Sequence, residues 1–262
     1  MSKVIAVANQ KGGVGKTTTT MNLGIGLART GKKVLMIDAD SQGDLTICLG
    51  YRNPDELDYT LSNILGCLIE DESFNPLKGI IHHVEGVDFI PSNIDLSGIE
   101  SSLNSADILG REGILRDYLE MIKESYDYIL IDCSPSIGMV TINAMVAANS
   151  VLIPVEAEYL PAKGLEQLIR TINKIQKKIN RTLKIEGVLM TMVDERTNLC
   201  KGIVDFINES YENHIKVFKS RIPRSVRAAE ISAVGQSLFE YDPEGKAALA
   251  YSSLVEEVLA NA

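Results

Sequence analysis

The sequence predicts an α/β fold in which a doubly wound, mostly parallel sheet is flanked by helices. Three observations predict it. Short apolar runs of strand length alternate with longer segments of helical periodicity. A glycine-rich turn joins the first apolar run to the first helical segment, and later apolar runs end directly in aspartates, at Asp38 and Asp132. Ligands of such sheets bind at the carboxyl ends of the strands. The glycine-rich turn and the two aspartates are therefore predicted to line one crevice.

The first strand is predicted at residues 4–8 and the first helix at 17–29. The glycines between them permit backbone conformations closed to other residues and a close approach to a ligand. N–H groups of the turn and the positive end of the helix would converge on one anion, which predicts a phosphate site. Lys16 would reach the β- and γ-phosphates, Thr17 would ligate Mg²⁺, and Thr18 would bind further back along the phosphate chain.

The loop departs from the usual phosphate-binding pattern, because Gln10 stands where a glycine is expected. It resembles the deviant Walker A motif of the ParA/MinD family of ATPases. The resemblance implies a P-loop NTPase fold, ATP and Mg²⁺ as cofactors, and a homodimer that sandwiches two ATP molecules. In that dimer Lys11 would reach the partner's phosphates, so Lys11 joins Lys16 as a catalytic candidate. The residues expected to bind ATP here are Lys11, Gly12, Gly13, Val14, Gly15, Lys16, Thr17 and Thr18.

Composition predicts one domain over residues 1–262, because the chain is long enough for one large core and contains nothing like a linker. No apolar run has membrane-spanning length and the first residues lack a signal-peptide pattern, so a cytoplasmic protein is expected.

The four cysteines lie apart, which argues against a zinc site or disulfide framework. The adjacent His82 and His83 have no third ligand nearby and are expected at the surface.

The second strand, residues 33–38, ends at Asp38 and is followed by Asp40. Two such aspartates can be mere turn formers or helix caps. The segment also resembles switch I of the same family, which implies that Asp40 positions the attacking water while Asp38 supports the magnesium shell. Ser41 replaces the family's proline, so a somewhat looser loop is expected.

Further elements follow in the same alternation. A short helix is expected at 60–68, a strand at 87–92, a helix starting with the capping-box pattern of Ser97 and Glu100, and another helix at 110–124. The strand at 126–132 ends in Asp132 and resembles a Walker B strand, whose carboxylate holds magnesium or its bound water. Ser134 replaces a second family proline in what would be switch II.

In the last third of the sequence, the pattern predicts a strand at 150–156, a long helix at 161–180, a strand at 185–192 and a helix at 198–214. A final helix is expected to begin at Asp242, with Pro243 in its first turn and its apolar face docked on the core.

Basic charge is concentrated although the net charge is −9. No acidic residue interrupts residues 216–227, which contain Lys216, Lys219, Arg221, Arg224 and Arg227. This stretch could be a solvated edge strand. It also resembles the Ile-Pro-Arg-x-x-Arg stretch of chromosome-partitioning ParA proteins of the Soj type. That resemblance implies adenine contacts near Pro223 and Arg224, and a non-specific DNA surface that includes Arg196, Lys219, Arg221, Arg224 and Arg227.

The resemblance implies a DNA-partitioning ATPase that binds DNA as an ATP dimer, associates with the nucleoid and is stimulated by a ParB-like centromere-binding protein. The alternative is a MinD-like, membrane-associated ATPase switch in division-site placement. It needs a basic amphipathic C-terminal helix, which residues 251–262 do not supply, so no membrane partner is expected. An iron–sulfur reductase would need paired ligand cysteines, and Cys133 alone does not provide them.

Overall fold

Eight strands form one sheet in the part of the chain that the computed structural model describes, residues 2–104, 110–157, 161–194, 196–211 and 215–261. Their spatial order is β3-β4-β2-β5-β1-β6-β7-β8. Neighbouring strands pair in parallel except β3 and β4, which are antiparallel. The strands are β1 Lys3–Val7, β2 Val34–Ala39, β3 Ile81–His82, β4 Asp88–Ile90, β5 Tyr128–Cys133, β6 Ser150–Glu156, β7 Lys184–Val193 and β8 Val217–Pro223.

Helices cover both faces of this sheet, which confirms the predicted doubly wound, mostly parallel α/β fold. The helices are α1 Lys16–Arg29, α2 Asp44–Cys48, α3 Leu61–Ile69, α4 Leu96–Leu103, α5 Ile114–Ile122, α6 Met139–Ala147, α7 Pro161–Lys178, α8 Asn198–Tyr211, α9 Val226–Val234, α10 Leu238–Tyr241 and α11 Lys246–Leu259. The end of the helix predicted at 198–214 lies outside the described residues.

The core consists of two apolar layers, one on each face of the sheet. Alternate residues of β1 serve both layers: Val4 and Ala6 belong to the layer under α3–α8, and Ile5 and Val7 to the layer under α1, α2 and α9–α11. Strands buried on both faces read as continuous apolar runs, which is why β1, β2, β5 and β6 are recognisable in the sequence.

Strand register brings the predicted carboxylates together. The central strand β5 lies between β1 and β2, and Asp132 is in register with Val7 on one side and with Asp38 on the other. The glycine-rich loop leaves β1 at this same edge. The crevice expected from the sequence is therefore formed by the carboxyl ends of β1, β2 and β5.

Two predicted helix starts are wrong. Helix α4 begins at Leu96, so Ser97 lies inside it, and the Glu100 carboxylate instead accepts hydrogen bonds from the N–H groups of Met139 and Val140 at the start of α6. The final helix begins at Lys246 rather than Asp242, because α10 ends at Tyr241 and residues 242–245 form a turn closed by a bond from Gly245 N–H to the Asp242 carbonyl.

The expected surface position of His83 is also wrong. His83 is buried, whereas His82 is exposed on the edge strand β3. Burial lowers the pKa of His83, and its Nδ1 accepts a hydrogen bond from the Glu85 N–H, which satisfies a neutral imidazole.

None of the described helices is both long and apolar enough to cross a membrane. Helix α11 buries its apolar side, including Tyr251, Leu254 and Val258, in the layer that contains α1 and β8, as the sequence predicts.

Candidate active site

The glycine-rich loop runs from the end of β1 to α1 and exposes the helix start. Gly15 is the N-cap of α1 with φ 83°, and Gly13 has φ 73°, conformations that favour glycine. No side chain caps this helix end and its first turn holds no acidic residue. The N–H groups there are suited to an anionic ligand. Gly12 differs, because its φ is not positive and a Cβ would meet no atom within 4 Å, so the fold itself does not require glycine there.

Side chains from distant parts of the chain hold the loop in place. Asn9 donates from Nδ2 to the Pro154 carbonyl at 2.6 Å and accepts from the Lys11 N–H at 3.0 Å. Thr191 donates from Oγ1 to the Val14 carbonyl at 2.8 Å. These contacts fix the loop to β6 and β7, and no motif in the sequence indicates them.

The two lysines of the loop differ in environment. Lys16 is buried, with Nζ 3.4 Å from the Lys11 carbonyl oxygen. The Lys11 side chain is 54% exposed, and its Nζ lies 2.8 Å from Oε2 of Glu156 at the end of β6. Lys16 therefore projects into the loop, whereas Lys11 lies across its rim.

The predicted magnesium ligands cluster beside the loop. Thr17 donates from Oγ1 to Oδ2 of Asp132 at 2.7 Å, and Thr20 donates to Oδ1 at 3.1 Å. The Asp38 carboxylate accepts from both the N–H and the hydroxyl of Thr46, at 2.8 and 2.7 Å. The Asp132 carboxylate thus lies against the start of α1, and Asp38, its register partner on β2, is bound by Thr46 of α2.

Burial dominates the electrostatics of these carboxylates. It raises the pKa of Asp38 to about 7, and it raises the pKa of Asp132 as well, with a further contribution from the Asp38 charge. A divalent cation would offset this unfavourable charge. Hard oxygen ligands suit Mg²⁺, which also retains waters and phosphate ligands. Among the described residues no group of three or more His, Cys, Asp or Glu is placed to hold a metal ion by itself.

Asp40 is the first residue after β2 and lies at the same edge of the sheet. It is buried, and its Oδ1 accepts from the Gln42 N–H at 3.1 Å. The turn is further closed by a bond from Gly43 N–H to the Asp40 carbonyl. Together with Ser134 and Ser136 of the loop after β5, Asp40 lines a cavity of about 300 Å³. The segments predicted as switches I and II therefore face one another.

A second cavity, of about 250 Å³, adjoins the glycine-rich loop. Its lining includes Gly15 and Thr18 of the loop, Pro223 and Arg224 after β8, and Tyr251 of α11. The Tyr251 hydroxyl also lies 3.2 Å from the Thr19 hydroxyl of α1. This mostly apolar cavity next to a phosphate loop has the size and position to receive a nucleobase.

The basic residues fall into separate groups. Arg196, Arg221 and Arg224 line one groove of about 490 Å³ together with Lys246, which sequence reasoning did not single out. Arg196 forms a two-bond ion pair with Asp194, which holds the pKa of that carboxyl near 2. Lys219 is exposed on β8 but does not line the groove, and Arg227 pairs with Glu230 at 3.0 Å.

β8 is the edge strand that the alternative interpretation of this segment predicts, and it is irregular. Its register with β7 shifts between Val217 and Arg221. The Glu257 carboxylate of α11 accepts hydrogen bonds from the N–H groups of Lys219 and Ser220, at 3.0 and 2.7 Å, and from the Ser220 hydroxyl. Helix α11 thereby fixes the strand that carries the basic residues.

Comparison with known proteins agrees with this geometry. A family model described as an AAA domain matches residues 2–185. The sporulation initiation inhibitor protein Soj of Bacillus subtilis is 44% identical over 262 residues, which cover 100% of both chains. The chromosome partitioning protein ParA of Myxococcus xanthus is 37% identical over 99% of this chain and 88% of its own.

A solved structure with a bound nucleotide analogue shows the same fold. A structure of cobyrinic acid a,c-diamide synthase from Mycobacterium smegmatis, with bound ATP analogue and magnesium, is 34% identical with a TM-score of 0.85. The match covers 100% of this chain and 96% of that one. The loop, the paired carboxylates and the full-length similarity lead to one conclusion: the chain belongs to the ParA/MinD family of deviant Walker A ATPases and is a ParA-type ATPase, similar to Soj.

Proposed function

We propose that this chain binds ATP with Mg²⁺, dimerises around the nucleotide, binds DNA without sequence preference and hydrolyses ATP when a ParB-like partner stimulates it. One observation carries the proposal. The phosphate loop, the buried carboxylates, Asp40 and a groove of arginines all occur along one edge of the sheet. Phosphoryl chemistry and binding to a phosphate backbone would then share neighbouring residues.

In the nucleotide site, the base would occupy the cavity beside Pro223 and Arg224, and the phosphates would lie on the loop. Lys16 would neutralise the β- and γ-phosphates. The Thr17 hydroxyl would hold Mg²⁺, with Asp132 and Asp38 binding its waters, and the ion would supply charge neutralisation. Asp40 would position the water for attack on the γ-phosphate. Catalysis would therefore consist of positioning and electrostatic stabilisation.

Dimerisation would use Lys11. Its exposed side chain at the rim of the loop is long enough to leave its own chain and meet phosphates held by a second copy. If Lys11 binds the phosphates of the second copy, dimerisation depends on bound ATP.

DNA binding would use the groove of Arg196, Arg221, Arg224 and Lys246, with Lys219 and Arg227 at its margins. Backbone contacts by such cations are independent of sequence and depend strongly on salt. In a cell the ATP-bound form would then associate with the nucleoid.

The MinD-like alternative receives less support. A membrane-binding C-terminal helix needs an apolar face to insert, and α11 buries that face in the core. Pelleting with anionic vesicles in the presence of ATP, without DNA, would favour the alternative.

The test is ATP hydrolysis, with and without random-sequence duplex DNA and a candidate centromere-binding protein, combined with a DNA-binding assay in ATP, in ADP and without nucleotide. We expect slow hydrolysis alone, faster hydrolysis with both additions, and DNA binding that needs ATP. DNA binding independent of nucleotide would contradict the proposed switch.

A further inference from the structure

Glu156 at the end of β6 binds two cations through different oxygens. Its Oε2 lies 2.8 Å from Lys11 Nζ, and its Oε1 lies 3.1 Å from a terminal guanidinium nitrogen of Arg224. Lys11 belongs to the phosphate loop, whereas Arg224 lines both the base cavity and the basic groove. One carboxylate therefore connects the two regions that the proposed function uses.

The three side chains differ in exposure, which decides which of them can move. The Glu156 side chain is 10% exposed, against 54% for Lys11 and 57% for Arg224. Glu156 is also fixed through its strand, because the Pro154 carbonyl two residues earlier accepts the hydrogen bond from Asn9. The carboxylate is the anchored member, and the long cationic side chains are the ones that can exchange partners.

A carboxylate with so little access to water needs cationic or hydrogen-bonding partners. A cation paired with this carboxylate is less available to phosphate, because the carboxylate offsets part of its charge. Glu156 therefore competes with nucleotide phosphate for Lys11 and with DNA phosphate for Arg224. A competitor of this kind lowers both affinities in the nucleotide-free chain.

We propose that Glu156 is a positioning residue that holds Lys11 and Arg224 on their own chain and so suppresses dimerisation and DNA binding without a triphosphate. This inference rests on the proposed function. It adds a restraint to that function: an anion has to displace the Glu156 carboxylate from Lys11.

The first test is Glu156→Gln, which keeps the shape of the side chain and removes its charge. We expect the dimer dissociation constant, measured by analytical ultracentrifugation with a non-hydrolysable ATP analogue, to fall about fivefold, because each dimer releases two partly exposed ion pairs. We also expect the weak binding to random-sequence duplex DNA that is left without nucleotide at low salt to tighten about threefold, while remaining weaker than binding in ATP. A merely structural role would weaken both associations.

Two double variants assign the effects to the two cations. In a Lys11→Ala background, Glu156→Gln should no longer strengthen dimerisation, and in an Arg224→Ala background it should no longer strengthen DNA binding. Glu156→Asp, which retains the charge, should stay close to the parent chain. Glu166→Gln is the matched control, because it removes a carboxylate from an exposed ion pair with Arg170 on α7.

The outcomes separate this inference from the proposed function. A parent chain that neither dimerises with the analogue nor binds DNA would overturn the proposed function. A parent chain that does both, with Glu156→Gln unchanged or weaker in each assay, would overturn the role of Glu156 alone. Melting temperatures of all variants show whether a loss comes from unfolding.

Discussion

Asp38 and Asp132 lie side by side in register on the neighbouring strands β2 and β5, and both side chains are buried. Two buried carboxylates this close repel one another in the absence of a cation, so the pair costs stability in the nucleotide-free chain. The cost indicates a site selected for binding a cation rather than for stability.

Asp132→Asn should reduce the dependence of ATP affinity on Mg²⁺ and leave the free energy of unfolding unchanged or about 1 kcal/mol higher, because an uncharged amide replaces a buried ionisable carboxyl. ATP titrations with and without Mg²⁺, together with thermal unfolding, measure both effects. Asp127→Asn is the control, since Asp127 accepts the Lys33 N–H just before β5, away from the carboxylate pair. Retained Mg²⁺ dependence in Asp132→Asn would contradict the assignment.

Lys16→Ala should weaken ATP binding by about 100-fold, since the variant lacks a buried, charge-assisted contact to phosphate. Isothermal titration with ATP and Mg²⁺ provides the measurement. Lys32→Ala, an exposed lysine just after α1, should bind ATP like the parent chain. Equal affinity of the Lys16 and Lys32 variants would rule out the phosphate site.

Asp40→Ala should bind ATP normally, hydrolyse it at least about 100-fold more slowly and accumulate as a dimer, because the water would lose its positioning group. Gel filtration with ATP and a phosphate-release assay report the two effects. Asp58→Ala, at an exposed position, serves as the control. A monomer peak for Asp40→Ala in ATP would refute this role.

The groove predicts which basic residues contribute most to DNA affinity. Arg221→Ala and Lys246→Ala should each weaken ATP-dependent DNA binding, and each should reduce the slope of log affinity against log salt by about 0.9 if it removes one phosphate contact. Arg116→Ala on α5, an exposed arginine paired with Asp117, should change neither quantity. A salt slope that stays the same in both groove variants would argue for a different DNA surface.

Glu257→Gln should destabilise the chain by about 1 kcal/mol at neutral pH, because the carboxylate accepts three hydrogen bonds from β8. Partial burial raises the pKa of Glu257, but the bonds from Ser220 and Lys219 outweigh it, so the pKa is lowered from 4.5. A lowered pKa in the folded state gives stability above the unfolded-state pKa that is lost on acidification. The difference from the parent chain, measured by urea unfolding, should thus shrink below about pH 4.5. A difference independent of pH would contradict this.

Local patterns predicted the phosphate loop and six of the eight described strands, with β3 missed and β8 only an alternative, because these features depend on consecutive residues. The apolar runs that became β1, β2, β5 and β6 are buried on both faces, and the loop is a contiguous motif. The family resemblance added the role of Asp40 and the DNA-binding role of the basic segment.

Local patterns do not predict contacts between residues that are far apart in the sequence. Thr191 supports the loop from 177 positions away, and Glu156 meets Lys11 across 145 positions. The capping-box prediction for Ser97 and Glu100 failed for the same reason: Glu100 caps α6, about 40 positions later, rather than its own helix. Lys246 was missed because it stands alone in the sequence and joins the arginines only after α11 has packed against β8.

Tyr251 of the last helix, α11, borders the cavity beside the phosphate loop and contacts Thr19 of α1. The position of α11 therefore affects the shape of that cavity. A truncated fragment ending after β6 would retain every Walker-like motif yet lack Thr191, Pro223 and Tyr251. Such a fragment would hold phosphates without a wall for the base, and it would discriminate poorly between ATP and inorganic triphosphate.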